Sequence, residues 1–224
     1  MPSFTSFSES NSVGSLHSEN QDSFLVDETN LVAAVADGVG GYSGAKIASS
    51  FAIESLGREV SKINDESLLV RLISAIHTRI QSKASELGFL NMGTTLAVAK
   101  VLSSGDVLVG NVGDSPILLF RNREIIQVYE DDSHRSKDPL AMYGIIQYLG
   151  LDCDLIVHAS KIQCNHGDTL LLCSDGVTDN MLQSQRGKSK LEILAKAGDA
   201  RGIVKAAIEE RIKPDDMTAV LISF

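Results

Sequence analysis

Residues 31–41 read LVAAVADGVGG, and this stretch decides the fold. Its first six residues are an unbroken apolar run, which suits a strand buried on both faces. Asp37 follows at once, and then Gly38, Val39, Gly40 and Gly41. A glycine beside a carboxylate at a strand end lets the backbone approach closely and can offer a carbonyl as a ligand. The arrangement recurs along the chain. Asp114 follows DVLVGNV (106–112) and Gly113, and Asp175 follows TLLLCS (169–174) and precedes Gly176. Asp22 begins DSFLVD (22–27), while Asp215 and Asp216 precede MTAVLISF (217–224).

Outward from that strand, the pattern alternates between blocks of strand and blocks of helix. Residues 45–63 carry Ile47, Phe51, Leu56, Val60 and Ile63 near helical spacing. Residues 66–87 carry Leu69, Leu72, Ile73, Ile76, Ile80, Ala84 and Leu87 three to four apart, with Asp65 placed to cap their helix. TTLAVAKVL, DVLVGNV, SPILLFR and EIIQVYE then read as a meander of antiparallel strands with short turns. Residues 131–147 are irregular, and 153–162 and 168–173 return to strand. Residues 188–197 and 200–211 form a second helical pair before the closing strand. Runs of strands followed by runs of helices predict an α+β fold rather than alternating βαβ units. The expected architecture is a β-sandwich of two antiparallel sheets flanked by helical pairs.

Carboxylates gathered at one edge repel one another unless a cation neutralises them. Hard divalent ions take oxygen ligands, so an aspartate set points to Mg2+ or Mn2+. Zn2+ calls instead for His or Cys. Any one of these Asp-Gly pairs is ordinary turn chemistry; the inference rests on several of them, each beside a strand. Competing sites fail on spacing. Counted from Gly38, GxGxxG breaks because Ser43 takes the sixth place, and Asp37 puts the wrong charge beside a phosphate. GxxxxGK[ST] and GxSxG are absent, and the five histidines form no paired ligand pattern.

Composition narrows the class further. The 224 residues carry 20 Lys plus Arg against 29 Asp plus Glu, a formal charge of −9. An acidic chain without a basic block does not suit nucleic acid or anionic lipid. Cys153, Cys164 and Cys173 have no zinc-type spacing and read as free thiols of a reducing compartment. MPSFTSFSES has neither the basic nor the apolar region of a signal peptide, and no apolar run approaches the ~20 residues of a membrane span. The expectation is a monomeric cytoplasmic protein with one domain over residues 1–224.

In order, the segments VGSLHSENQDS (13–23), VADGVGG (35–41), MGTTL (92–96), GNVGDS (110–115), LLLCSDGVTD (170–179) and PDDMT (214–218) resemble the metal-dependent PPM (PP2C-like) protein phosphatases in their bacterial form. The resemblance implies a four-layer α-β-β-α fold that hydrolyses phosphoserine and phosphothreonine in proteins. It implies two Mg2+ or Mn2+ ions that activate a hydroxide, without a phosphoenzyme. Asp37 would bridge both ions, the Gly38 carbonyl would bind the second, and Asp175 and Asp215 would hold the first. Asp22 would act from the outer shell through water, and Asp114 with Asp179 would serve a third metal site. The implied partners are phosphoproteins and a cognate Ser/Thr kinase.

Four positions depart from the family pattern. His17 stands where the family has a phosphate-binding Arg and would take that role with a shorter, partly charged ring. Gln21 replaces a frequent Glu, and Val39 replaces a His that some relatives offer as general acid. Residues 131–149 are short for the bacterial flap. Asp216, besides, stands where the family usually has Asn. His17 and the short flap keep open an alternative, a pseudophosphatase that uses the fold as a binding module.

Overall fold

The computed structural model describes residues 2–10, 19–39, 44–129, 133–134, 144–210 and 212–224. Its organisation follows from strands that are apolar on both faces. In the strand β3 (Val32–Ala36), preceded by β1 (Ser3–Ser10) and β2 (Ser23–Asp27), every residue is buried. Successive side chains point to opposite faces, so Val32, Ala34 and Ala36 join one core and Ala33 and Val35 another. A strand of this kind needs cover on both sides, which a layered structure supplies.

Cover on the first side comes from α1 (Ala45–Glu59), continued by a 3₁₀ turn at Val60–Lys62, and from α2 (Glu66–Leu87). The Asp65 side chain accepts a hydrogen bond from the Leu68 N–H and caps α2. Gly88, at φ 74°, ends it in the left-handed conformation. Next come β4 (Leu96–Val101), β5 (Asp106–Val112), β6 (Ile117–Arg121) and β7 (Glu124–Gln127). Two short strands follow, β8 (Ser133–His134) and β9 (Gly144–Ile145), and then β10 (His158–Gln163) and β11 (Thr169–Cys173). The chain ends with α3 (Asp175–Met181), α4 (Gln185–Lys196), α5 (Ala200–Glu210) and β12 (Asp216–Ser223).

Two five-stranded antiparallel sheets result, in the orders β1-β12-β11-β6-β7 and β10-β5-β4-β3-β2. Between them lie Ala33, Val35, Ala97 and Val109 from one sheet and Ile117, Leu170, Leu172, Val220 and Ile222 from the other. The opposite face of the second sheet packs on α1 and α2 through Val98, Leu108, Leu56 and Ile76. The opposite face of the first packs on α3, α4 and α5 through Leu171, Cys173, Met217, Leu221 and Ile203. The order of layers is α-β-β-α, as expected.

The differences from expectation are local. The strand expected over 153–162 starts only at His158, and the helix expected from 188 starts at Gln185, where Ser184 caps it. Four elements went unforeseen: β1, which pairs with β12 along its whole length; β8 and β9, paired within the segment expected to be irregular; and α3, which starts directly after β11. No helix among the described residues is long and apolar enough to cross a membrane.

Candidate metal centre

Antiparallel pairing places the sequence-derived aspartates at one edge. Ser23 pairs with Ala36, so Asp22 and Asp37 extend from adjacent strand ends. Leu96 pairs with Val112, which brings Thr95 and the Gly113-Asp114 turn to the same edge. In the other sheet Cys173 pairs with Ala219, so Asp175 leaves β11 where Asp215 and Asp216 lead into β12. Asp22 joins the two sheets here. Its Oδ2 accepts hydrogen bonds from Ser174 Oγ at 2.8 Å and Thr218 Oγ1 at 2.6 Å. Ser174, fully buried and donating to Asp22, is a structural hydroxyl rather than a nucleophile.

The electrostatics record this crowding. Burial raises the Asp37 pKa well above the usual carboxylate range, and the charges of Asp22, Asp175, Asp215 and Asp114 add to it. Burial likewise pushes Asp22 up to about 7, against its two hydroxyl donors and assisted by Asp216 and Asp215. Asp175 is raised first by burial and then by Asp215, with Lys213 opposing. Asp22 Oδ1 is buried with no hydrogen-bond partner among the described residues. Buried carboxylates normally find partners, so a raised, mutually repelling set with an orphaned oxygen fits an oxygen-loving cation.

The backbone around these groups is tightly specified. The Asp37 N–H donates to Thr95 Oγ1 at 2.9 Å, and the Asp37 carbonyl accepts from Thr94 Oγ1 and the Thr95 N–H, each at 2.8 Å. On α1, Lys46 Nζ donates to the Asp22 carbonyl at 2.6 Å and Ser49 Oγ to the Gln21 carbonyl at 2.6 Å. A Cβ on Gly38 would lie 2.7 Å from the Ala45 backbone, so the turn after Asp37 can approach α1 only as glycine. A Cβ on Gly176 would lie 2.2 Å from the Asp216 carbonyl oxygen. Gly176→Ala should therefore force α3 away from β12, separating Asp175 from Asp215. Overpacking of this kind costs about 1–3 kcal/mol, and a lower midpoint in thermal denaturation, with weaker Mn2+ binding, is the expected result.

Two residues of the site gave no signal in the sequence. Lys213 Nζ lies 2.5 Å from Asp175 Oδ2, 3.0 Å from Asp215 Oδ2 and 3.1 Å from Asp179 Oδ2. Buried Asn180, on α3, holds the backbone that carries Lys213. Its Nδ2 donates to the carbonyls of Gly176 and Lys213, and its Oδ1 accepts from the N–H groups of Ile212 and Lys213. These four bonds use the full capacity of the amide. Among the described residues, no three Asp, Glu, His or Cys side chains are arranged to receive an ion as they stand.

Two family departures meet here, because the backbone N–H of Gln21 donates to Asp216 Oδ2 at 2.7 Å. Asp114 contributes to the field at Asp37, while Asp179 reaches the cluster through Lys213. His17 and most of the short flap lie outside the described residues.

A sandwich whose edge gathers carboxylates at strand ends suits a cation-dependent enzyme, and comparison with known proteins gives the family. The family model described as protein phosphatase 2C matches residues 15–212. The serine/threonine phosphatase stp of Listeria monocytogenes is 30% identical over 206 residues, covering 81% of each chain. The solved structure of serine/threonine phosphatase Stp1 from Staphylococcus aureus superposes with a TM-score of 0.83 at 23% identity, covering 100% of this chain and 95% of that one. The catalytic domain of the serine/threonine protein phosphatase PstP, in complex with two manganese ions, superposes with a TM-score of 0.78 at 25% identity, covering 99% and 97%. The chain belongs to the protein phosphatase 2C family of bacterial Ser/Thr phosphatases.

Proposed function

We propose that this chain hydrolyses phosphoserine and phosphothreonine in proteins, using two Mg2+ or Mn2+ ions held at the edge of its sandwich. The observation that carries this reading is the convergence of Asp22, Asp37, Asp114, Asp175 and Asp215 from strand ends of both sheets, where the other four act on the buried Asp37. Asp37 and the Gly38 carbonyl, on the turn after β3, and Asp175 and Asp215, from the facing sheet, are the ligands this reading assigns. Asp22 would orient water from behind them, and Asp114 with Asp179 would serve a third ion. When bound, the ions acidify water for attack on phosphorus and neutralise charge on the phosphoryl oxygens.

The chain's own residues orient and hold. Thr94 and Thr95 fix the Asp37 backbone, and Ser174 and Thr218 fix Asp22, so the carboxylates keep their places while charge moves. With Ser174 committed to Asp22, direct attack by water without a phosphoenzyme is the consistent route. His17 is assigned to the substrate phosphate, in place of the family Arg. Phosphoproteins are the substrates, in one domain over residues 1–224, and a Ser/Thr kinase that makes them in the cytoplasm is the partner. The PstP complex with manganese supports the choice of metal class. Hydrolysis of a phosphothreonine peptide with Mn2+ or Mg2+, and loss of hydrolysis on chelation, is the expected result. A chain that stays folded and binds either ion, yet releases no phosphate, would favour the binding module instead.

A further inference from the structure

The position of Lys213 points beyond the phosphatase reading, while its role rests on that reading for the metal ligands. Its ammonium donates a hydrogen bond to Asp175 Oδ2 at 2.5 Å and forms ion pairs with Asp215 at 3.0 Å and Asp179 at 3.1 Å. Two of the three, Asp175 and Asp215, are the residues assigned to the first metal ion. The arrangement is built rather than accidental. Asn180 clamps the Lys213 backbone on both its N–H and its carbonyl, and the same amide grips Gly176, next to Asp175. The ammonium and the helix it pairs with are thus fixed to one another.

We infer that Lys213 is an internal counter-ion, which closes Asp175, Asp179 and Asp215 on itself and which a divalent ion at Asp175 and Asp215 must displace. The exchange follows from charge and space. One positive charge leaves three carboxylates under-neutralised, so an ion of charge two is favoured on the same oxygens. An ion and an ammonium cannot both sit there, because they compete for the same lone pairs and repel each other. Metal binding at this corner therefore gives up the charge-assisted hydrogen bond to Asp175 and the ion pair to Asp215. Lys213 sets the metal concentration at which the site fills, and keeps the empty edge from springing apart.

The test measures Mn2+ binding to the full chain by loss of the free-ion paramagnetic resonance signal, independently of turnover. Lys213→Met should bind one Mn2+ about tenfold or more tightly than wild type, from the lost competition of charge-assisted bonds. Its thermal midpoint without metal should fall, and Lys213→Arg should restore both values towards wild type. Equal or weaker binding by Lys213→Met would overturn the inference while leaving the phosphatase reading intact; failure of both chains to bind Mn2+ would overturn that reading as well. A wild-type measurement covers a variant that does not fold. Reductive methylation, read by mass spectrometry, should modify the Lys213 amine slowly without metal and faster with Mn2+. A rate that is unchanged or lowered by Mn2+ would contradict displacement.

Discussion

Asp37→Asn is expected to reduce phosphopeptide hydrolysis by more than a hundredfold at saturating Mn2+, and to raise the thermal stability of the metal-free chain. The two effects have one cause. Asp37 sits where four other aspartates act on it, and burial already disfavours its charge. An amide of the same shape removes that repulsion, so the metal-free fold gains. The same amide removes the anionic ligand assigned to bridge two ions. Loss of a residue merely supporting a metal ligand typically costs 10–100-fold, so loss of a bridging ligand costs more. An inactive variant with a higher melting temperature separates a functional loss from unfolding. An active Asp37→Asn chain would remove Asp37 from the site.

The second large effect is on the pH dependence of stability. Burial raises Asp22 from 3.8 to about 7, and Asp37 and Asp175 are raised in the same sense. Between those pH values the unfolded chain has released a proton that the native chain retains. The native state binds more protons, so stability falls as pH rises through the window. At one pKa unit per ~1.4 kcal/mol, the Asp22 contribution is on the order of a few kcal/mol. The metal-free chain should therefore melt at progressively lower temperature from pH 5 to pH 8. Asp22→Asn should flatten that slope, with Ser174 and Thr218 still able to donate to the amide oxygen. Saturating Mn2+ should flatten it as well, since ions neutralise the carboxylates. A metal-free melting temperature that rises over this range would contradict the clustering.

Much of this edge is legible from local pattern. A buried strand that ends in Asp and Gly says where its carboxylate must lie, and the antiparallel order then brings Asp22 to Asp37 and Asp175 to Asp215. The layers are legible for the same reason, because VAAVA and TLLLC are apolar on both faces and demand two covers. What stays hidden depends on distant contacts. The helix α3 is only seven residues long and carries Gly176 in its first turn, which reads as a loop. Its glycine is required by the Asp216 carbonyl, a contact no local pattern shows. The strand β1 alternates Ser and Thr with Phe4 and Phe7, and only pairing with β12 makes it a strand. Lys213 looks like a solvated cation before an acidic pair, and Asn180 like any polar helix residue. Their roles arise when α3 and the turn before β12 meet.

The acidic surplus of −9 is in part local to this edge, so on the proposed reading metal loading rather than net charge would decide how the chain meets an anionic phosphoester. The most direct measurement is a crystal structure grown with Mn2+ and phased to locate manganese by anomalous scattering. Two peaks are expected at the sandwich edge, both bonded to Asp37, one also to Asp175 and Asp215, with the Lys213 ammonium moved off those carboxylates. Fully occupied manganese elsewhere, with none bonded to Asp37, would contradict the assignment of this edge as the metal centre.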